Sequence, residues 1–246
     1  MVRARDYYYD VDPAQVPISQ TLLIDADDTL WENNVYFERA IADFISFLNH
    51  RERSPAEIRT ILDDVERECI VTHGYGLHSF THALVQTFER LSKEPLTPGL
   101  HEAIHGFART IAEQPVQLLP KVQETLQYLA QRHQLILVTK GDHKEQSGKV
   151  KRSGLRQHFA SVEIVPEKTT DHYCELVQRH SLDQQRTWMV GNSPKSDINP
   201  ALAAGINAVF VPHNDTWILE HEELAQPKPP AKLLVVDSFS ELVQHF

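Results

Sequence analysis

The stretch TLLIDADDTLW, residues 21–31, joins a predicted strand to a cluster of acidic side chains. Its apolar run, residues 22–24, is typical of a buried strand in a parallel sheet. Three carboxylates, those of Asp25, Asp27 and Asp28, follow the run directly. The carboxyl end of such a strand is where open α/β sheets bind ligands, and carboxylates this close usually share a cation or a proton. A strand followed by a solvated acidic turn, with Asp28 capping a helix, remains the alternative for this stretch alone.

The region after this strand has the pattern of an all-helical insert. Residues 36–114 carry apolar side chains at helical spacing and contain no convincing strand. Ser54-Pro55 and Thr97-Pro98 are typical of helix starts, with the hydroxyl residue as cap and proline in the first turn.

From residue 119 onward, helical stretches alternate with short apolar strands. The predicted strands are residues 135–138, 162–165, 188–190, 208–211 and 233–236. This alternation predicts an α/β fold, a three-layer α/β/α Rossmann-like parallel sheet with an inserted all-helical domain. We expect residues 1–35 and 115–246 to form the core and residues 36–114 to form the insert. Residues 1–20 show no clear period and are expected to form a tail packed on the surface, with simple disorder at a terminus as the alternative.

Polar side chains follow the first four predicted strands. They are, in strand order, Asp25 and Asp27, then Thr139 and Lys140, then Lys168, then Asn192 and Asp197. Because the carboxyl ends of parallel strands meet at one edge of the sheet, we expect these side chains to converge. Carboxylates, a hydroxyl and a lysine are the groups that phosphoryl transfer requires. Taken singly, Thr139 could be an ordinary strand-end hydroxyl and Asp197 could cap the helix predicted at residues 199–204.

With these motifs in order, residues 20–212 resemble the haloacid dehalogenase-like (HAD) superfamily of hydrolases. The D-x-D-x-T-L signature of that superfamily matches residues 25–30, and its later hydroxyl, lysine and acidic loop match Thr139, Lys168 and residues 192–197. The helical insert resembles the C1 cap of the superfamily. Asp27 stands where true dehalogenases have tyrosine, so the resemblance is to the phosphatase branch.

The resemblance implies Mg²⁺ as the cofactor, held by Asp25, the backbone carbonyl of Asp27 and Asp197, with Asn192 nearby. It implies that Asp25 is the nucleophile and forms an aspartyl-phosphate. Asp27 would protonate the leaving oxygen and then activate water.

The same resemblance implies that Thr139, Lys140 and Lys168 bind the substrate phosphate, and that Lys168 also keeps Asp25 ionised. Lys149 is the rival lysine, but it lies in the helical stretch before the third strand. The chain departs from the family at Asp28, where glycine is usual, and at Asn192, where aspartate is common. The second departure leaves one carboxylate fewer at the metal.

The implied function is a magnesium-dependent phosphatase of a small phosphorylated metabolite. A dehalogenase-type hydrolase, a phospho-acceptor signalling module and a weakly active phospho-binding relative remain as alternatives. The formal net charge of −10 argues against nucleic acid or an anionic membrane as a partner. Two cysteines, too few for a disulfide framework, favour a cytoplasmic location, and the sequence leaves the oligomeric state open.

Two histidine patterns occur in the insert. Residues 101–105, HEAIH, match the H-E-x-x-H zinc motif, but no third histidine follows at a suitable spacing. His73, His78 and His82 could form a ligand cluster or a solvated helix face, and we favour the solvated face.

Overall fold

Six parallel strands form a single sheet in the computed structural model, which describes residues 19–246. The predicted tail, residues 1–20, therefore lies almost wholly outside the described residues. The strands are β1 (Thr21–Ile24), β2 (Gln134–Lys140), β3 (Ser161–Val165), β4 (Thr187–Gly191), β5 (Asn207–Phe210) and β6 (Leu233–Val235). Their order is β3-β2-β1-β4-β5-β6, so β1 lies between β2 and β4. The strand order reverses at β1 and β4, and ligands bind at such a switch point in open α/β sheets.

Helices cover both faces of the sheet. They are α5 (Val122–Ala130), α6 (His143–Ser153), α7 (Thr170–Arg179) and α8 (Asn199–Ala203). Leu22 and Ile24 point to the face covered by α5, α6 and a 3₁₀ segment, Phe239–Gln244, whereas Leu23 points to the face covered by α7 and α8. This alternation follows from the two-residue period of a strand and gives β1 a buried environment on both sides. The predicted three-layer α/β/α fold is confirmed.

Residues Asn33–Pro115 form a second compact unit, separate from the unit that ends at Glu32 and resumes at Val116. Its helices are α1 (Asn34–Leu48), α2 (Pro55–His73), α3 (Leu77–Leu91) and α4 (Pro98–Ala112). We call it the helical unit. It has its own apolar core, which includes Phe44, Leu62 and Leu84.

The helix starts of this unit follow from their sequence. Ser54 and Glu57 form a reciprocal capping box at the start of α2, and the hydroxyl of Thr97 accepts a hydrogen bond from the amide of Leu100 at the start of α4. Both caps satisfy amides that would otherwise have no partner inside the helix.

Among the helices described from residue 19 onward, none is both long enough and apolar enough to cross a lipid bilayer.

Candidate active site

The loop after β1 places its carboxylates at the centre of the sheet edge. The amide of Asp25 donates to the carbonyl of Val190 at 2.9 Å, which extends the pairing with β4 by one residue. The chain then turns tightly, and the amide of Leu30 donates to the carbonyl of Ala26 at 2.8 Å. Asp28 has a left-handed backbone, with φ at 58°. That conformation explains the usual glycine at this position, and aspartate is one of the few other residues that adopt it readily.

Lys168 lies between two buried carboxylates. Its ammonium bonds to Asp25 and also lies 2.7 Å from Asp197, with a side chain only 2% exposed. Burial, followed by repulsion from Asp197, raises the pKa of Asp25 to about 7, although Lys168 opposes the rise. Burial lowers the pKa of Lys168, but Asp197 and Asp25 outweigh it, so the net shift is upward and the lysine is charged. Asp25 therefore needs more positive charge than Lys168 supplies before it is fully ionised at neutral pH.

Thr29 brings a third oxygen group to the same place. Its hydroxyl lies 2.9 Å from a carboxylate oxygen of Asp25 and 3.3 Å from the side-chain oxygen of Asn192. The amide nitrogen of Asn192 donates to the hydroxyl of Thr216 at 3.0 Å, so its oxygen is the atom that faces Thr29. Two carboxylates and an amide oxygen are the ligands that Mg²⁺ prefers, so Asp25, Asp197 and Asn192 fit a hard divalent cation.

The loop after β4 holds Asp197 by close packing. A side chain at Gly191 would place its Cβ 2.2 Å from a carboxylate oxygen of Asp197, so only glycine fits there. That same oxygen accepts a hydrogen bond from the amide of Ser193 at 3.0 Å. Ser193, and not Asp197, caps the π-helical turn Pro194–Ile198, and α8 begins without a side-chain cap. The carboxylate of Asp197 is thus directed towards Lys168.

Asp27 points to a different set of partners from Asp25. Its carboxylate accepts from the indole of Trp31 at 2.7 Å, and the ammonium of Lys149 lies 2.9 Å from both of its oxygens. The side-chain amide of Gln146 donates to Asp27 at 3.0 Å and lies 2.5 Å from the hydroxyl of Thr139. Gln146 therefore connects the end of β2 to the loop after β1.

Lys140 lies elsewhere than we expected. Its ammonium bonds to the carboxylate of Glu220 at 2.6 Å and to the hydroxyl of Ser196 at 2.8 Å. Burial alone would raise the pKa of Glu220, but Lys140 and the hydroxyls of Ser193 and Ser196 bring it below the usual value. These contacts favour a supporting role for Lys140, beneath the loop that carries Asp197, over the substrate-binding role expected from the sequence.

Gln146 and Glu220 were not expected at the site from the sequence, whereas Lys149 was considered only as a rival to Lys168 and Thr29 only as part of the signature at residues 25–30. Gln146 and Lys149 lie three residues apart on α6, the helix that follows β2. That spacing places both side chains on one face of the helix, and this was the available signal. No sequence signal pointed to Glu220, because it lies in a short 3₁₀ segment, Ile218–Glu220, without a periodic pattern.

A family model and several solved structures match this chain. The family model described as haloacid dehalogenase-like hydrolase matches residues 20–205. No protein with a curated description matches the chain. A haloacid dehalogenase-like family hydrolase of Xanthomonas campestris is 28% identical, with a TM-score of 0.78 over 91% of this chain and 88% of that one.

Two more distant structures share the fold. The Bacillus subtilis protein YfnB, solved bound to magnesium, is 17% identical, with a TM-score of 0.65 over 93% of this chain and 99% of that one. A 2-haloacid dehalogenase of Pseudomonas syringae is 22% identical, with a TM-score of 0.59 over 92% of this chain and 97% of that one.

Proposed function

We propose, from the premise that this chain belongs to the haloacid dehalogenase-like hydrolases, that it is a magnesium-dependent phosphatase of small phosphorylated metabolites. The observation that carries the proposal is the carboxylate of Asp27, two residues after Asp25 and held by Lys149 and Gln146. An alkoxide leaving group needs a proton, which a carboxylic acid can supply. A halide leaves without one, so a dehalogenase has no use for an acid at this position.

In this proposal Asp25 is the nucleophile. A carboxylate oxygen of Asp25 forms a bond to phosphorus while the bond from phosphorus to the substrate oxygen breaks, and Asp27 gives that oxygen its proton. Asp27, now ionised, takes a proton from water. The water oxygen attacks phosphorus as the bond from phosphorus to Asp25 breaks, which frees inorganic phosphate and restores the Asp25 carboxylate. Lys168 offsets the negative charge that develops beside Asp25.

Magnesium, when held by Asp25, Asp197, Asn192 and the main-chain carbonyl of Asp27, would supply the positive charge that lets a phosphate dianion approach these carboxylates. The magnesium-bound structure of YfnB supports the choice of ion for this fold. The raised pKa of Asp25 points to the same need for positive charge, because a second cation would favour the ionised nucleophile.

We assign the substrate phosphate to Thr139, Lys168 and Lys149. Lys149 was not among the phosphate-binding residues expected from the sequence. Its side chain is 21% exposed, whereas that of Lys168 is 2% exposed, so Lys149 is the lysine that an incoming substrate can reach more easily. We further propose that residues 36–114 act as the cap that excludes water and selects the substrate. A cytoplasmic location fits the two free thiols of Cys69 and Cys174.

Measurement of the product tests the proposal. The wild-type protein should release phosphate from aryl phosphates and from members of a panel of phosphorylated metabolites, and it should lose this activity when a chelator removes Mg²⁺. Asp25→Asn should retain less than about 1% of the activity, since loss of a nucleophile costs several orders of magnitude. Asp171→Asn, on the exposed start of α7, is the matched control and should retain full activity.

Two results would overturn the proposal. Release of halide from 2-haloacids without release of phosphate would make the protein a dehalogenase. A stable phosphoenzyme that forms once without turnover would make it a phospho-acceptor module.

A further inference from the structure

Three histidines converge where α2 meets α3. His73 is the last residue of α2, and His78 and His82 lie one turn apart on α3. The connection between the helices contains Gly74 and Gly76, with φ of 72° and 115°, so the chain reverses within three residues. The reversal stacks the ring of His73 on that of His82, with their centroids 4.3 Å apart and their planes 11° apart.

The third ring completes a compact group. The ring of His78 lies 4.5 Å from that of His82 and 5.6 Å from that of His73, between centroids. One nitrogen from each of the three rings lies within 4.8 Å of the other two. In a tetrahedral zinc site with Zn–N distances of about 2.05 Å, the nitrogens are roughly 3.3 Å apart. His73 and His78 are exposed, so rotation of their side chains can close the difference without a change in the helices.

The surroundings of His82 favour its neutral form. Burial lowers the pKa of His82, and neighbouring His73, His78 and His105 lower it further. Three imidazolium ions at this spacing would repel one another, whereas neutral imidazole is the form that binds metal. A solvated helix face, the interpretation that the sequence favoured, gives no reason for three rings from two helices to share one point.

We propose that His73, His78 and His82 bind a divalent transition-metal ion, with Zn²⁺ as the ion that this ligand set fits best. Three imidazole nitrogens are typical of zinc, with water in the fourth position, whereas Mg²⁺ prefers oxygen. The site is therefore chemically distinct from the oxygen ligands around Asp25. A bound ion would join the end of α2 to the first two turns of α3 and fix the angle of that turn.

The H-E-x-x-H motif on α4 provides a natural comparison. The ring nitrogens of His101 and His105 are 3.1 Å apart. Glu102, the residue that would be the catalytic base of a zinc protease, instead accepts a hydrogen bond from the guanidinium of Arg109 at 2.5 Å. Within residues 19–246, no third histidine, cysteine or carboxylate lies close enough to this pair to complete a metal site. His101 is therefore the matched control for the three-histidine site.

Zinc titration of the full-length protein tests the proposal. Metal-free protein is titrated with Zn²⁺ against a chromophoric chelator, in excess Mg²⁺ so that the oxygen site does not compete. The wild-type protein and His101→Ala should each bind one equivalent tightly. His73→Ala, His78→Ala and His82→Ala should each bind at least about 100-fold more weakly, because even loss of a group that only orients a ligand costs 10–100-fold. Zinc should raise the melting temperature of the wild-type protein and His101→Ala but not of these three variants.

The three variants separate the possible outcomes. Equal weakening in all three supports a site that spans the two helices. Unchanged binding by His73→Ala would leave only the pair on α3 and would overturn the proposal. It would also be overturned if the wild-type protein took up no zinc, or if His101→Ala lost as much affinity as the others. Because the readout is bound zinc, failure here leaves the phosphatase proposal unaffected.

Discussion

Replacement of Lys168 with methionine tests the charge arrangement of the active site. Methionine is similar in length but uncharged, so Asp25 and Asp197 would face each other without the ammonium that now lies between them. Removal of one partner from a buried ion pair costs about 3–5 kcal/mol. For a chain of this size, such a loss lowers the melting temperature by roughly 6–20 °C.

Magnesium should reverse much of this loss. A divalent cation between the two carboxylates replaces the missing charge, and an ion that binds only the folded protein stabilises it. We therefore expect Mg²⁺ to raise the melting temperature of Lys168→Met by more than it raises that of the wild-type protein. All three tryptophans, Trp31, Trp188 and Trp217, lie in the unit that contains the sheet. Tryptophan fluorescence during heating, with EDTA or with saturating Mg²⁺, therefore follows the relevant unit alone.

Lys195→Met is the matched control. Lys195 lies on the same loop as Asp197, but it is exposed and its ammonium donates to the carbonyl of Leu219 at 3.0 Å. Its replacement should change the stability by no more than about 0.5 kcal/mol. The reasoning is refuted if Lys168→Met in EDTA melts within about 2 °C of the wild-type protein, a shift worth less than about 1 kcal/mol. It is also refuted if the variant gains no more from Mg²⁺ than the wild-type protein does.

Three further substitutions test other parts of the site. Asp27→Asn should slow hydrolysis of alkyl phosphates by about 10²–10⁴-fold and that of aryl phosphates less, because an aryl oxide needs little protonation. Equal losses in kcat/KM for alkyl and aryl phosphates would show that Asp27 is not the acid. Asn192→Asp should lower the half-saturating Mg²⁺ concentration about tenfold, equivalent to ~1.4 kcal/mol, without improving KM for the substrate; an unchanged metal requirement would place Asn192 outside the reach of the ion. Glu220→Gln should cost about 2 kcal/mol in stability and weaken Mg²⁺ binding, because Lys140, Ser193 and Ser196 lose a charged partner beneath the Asp197 loop. Glu222→Gln is its exposed control, and equal melting temperatures and Mg²⁺ titrations for the two variants would contradict the supporting role.

The features of the fold that depend on local pattern could be predicted from the sequence. Short apolar runs between helical stretches located all six strands. The signal is clearest for the central strands β1, β2 and β4, because a strand buried on both faces is almost wholly apolar. The caps at Ser54 and Thr97 were also predictable, since a cap involves residues only three positions apart.

Contacts across the sheet edge were less predictable. Lys149 and Asp27 are 122 residues apart, so their pairing depends on how far a helix reaches over a neighbouring strand. The sequence located the helix but gave no measure of that reach. Lys140 was also hard to place from the sequence, because its position beside Thr139 suggested a shared role. Adjacent residues at a strand end point to opposite sides, and Lys140 points to Glu220.

The position of the insert has a consequence for how the chain folds. Thr21 in β1 and its partner Gln134 in β2 are 113 residues apart, so pairing of the central strands must close a long loop. The amide of Glu32 donates to the carbonyl of Gln117 at 2.9 Å, so the chain leaves and rejoins the sheet unit at nearly the same point. If the helical unit forms first, its local contacts shorten the effective loop to roughly 30 residues, which reduces the entropic cost of closure by about 1 kcal/mol. Early collapse of residues 33–115 would then accelerate the pairing of β1 with β2 about sevenfold at most. If the insert folds late, the full loop must close first and the two strands pair more slowly.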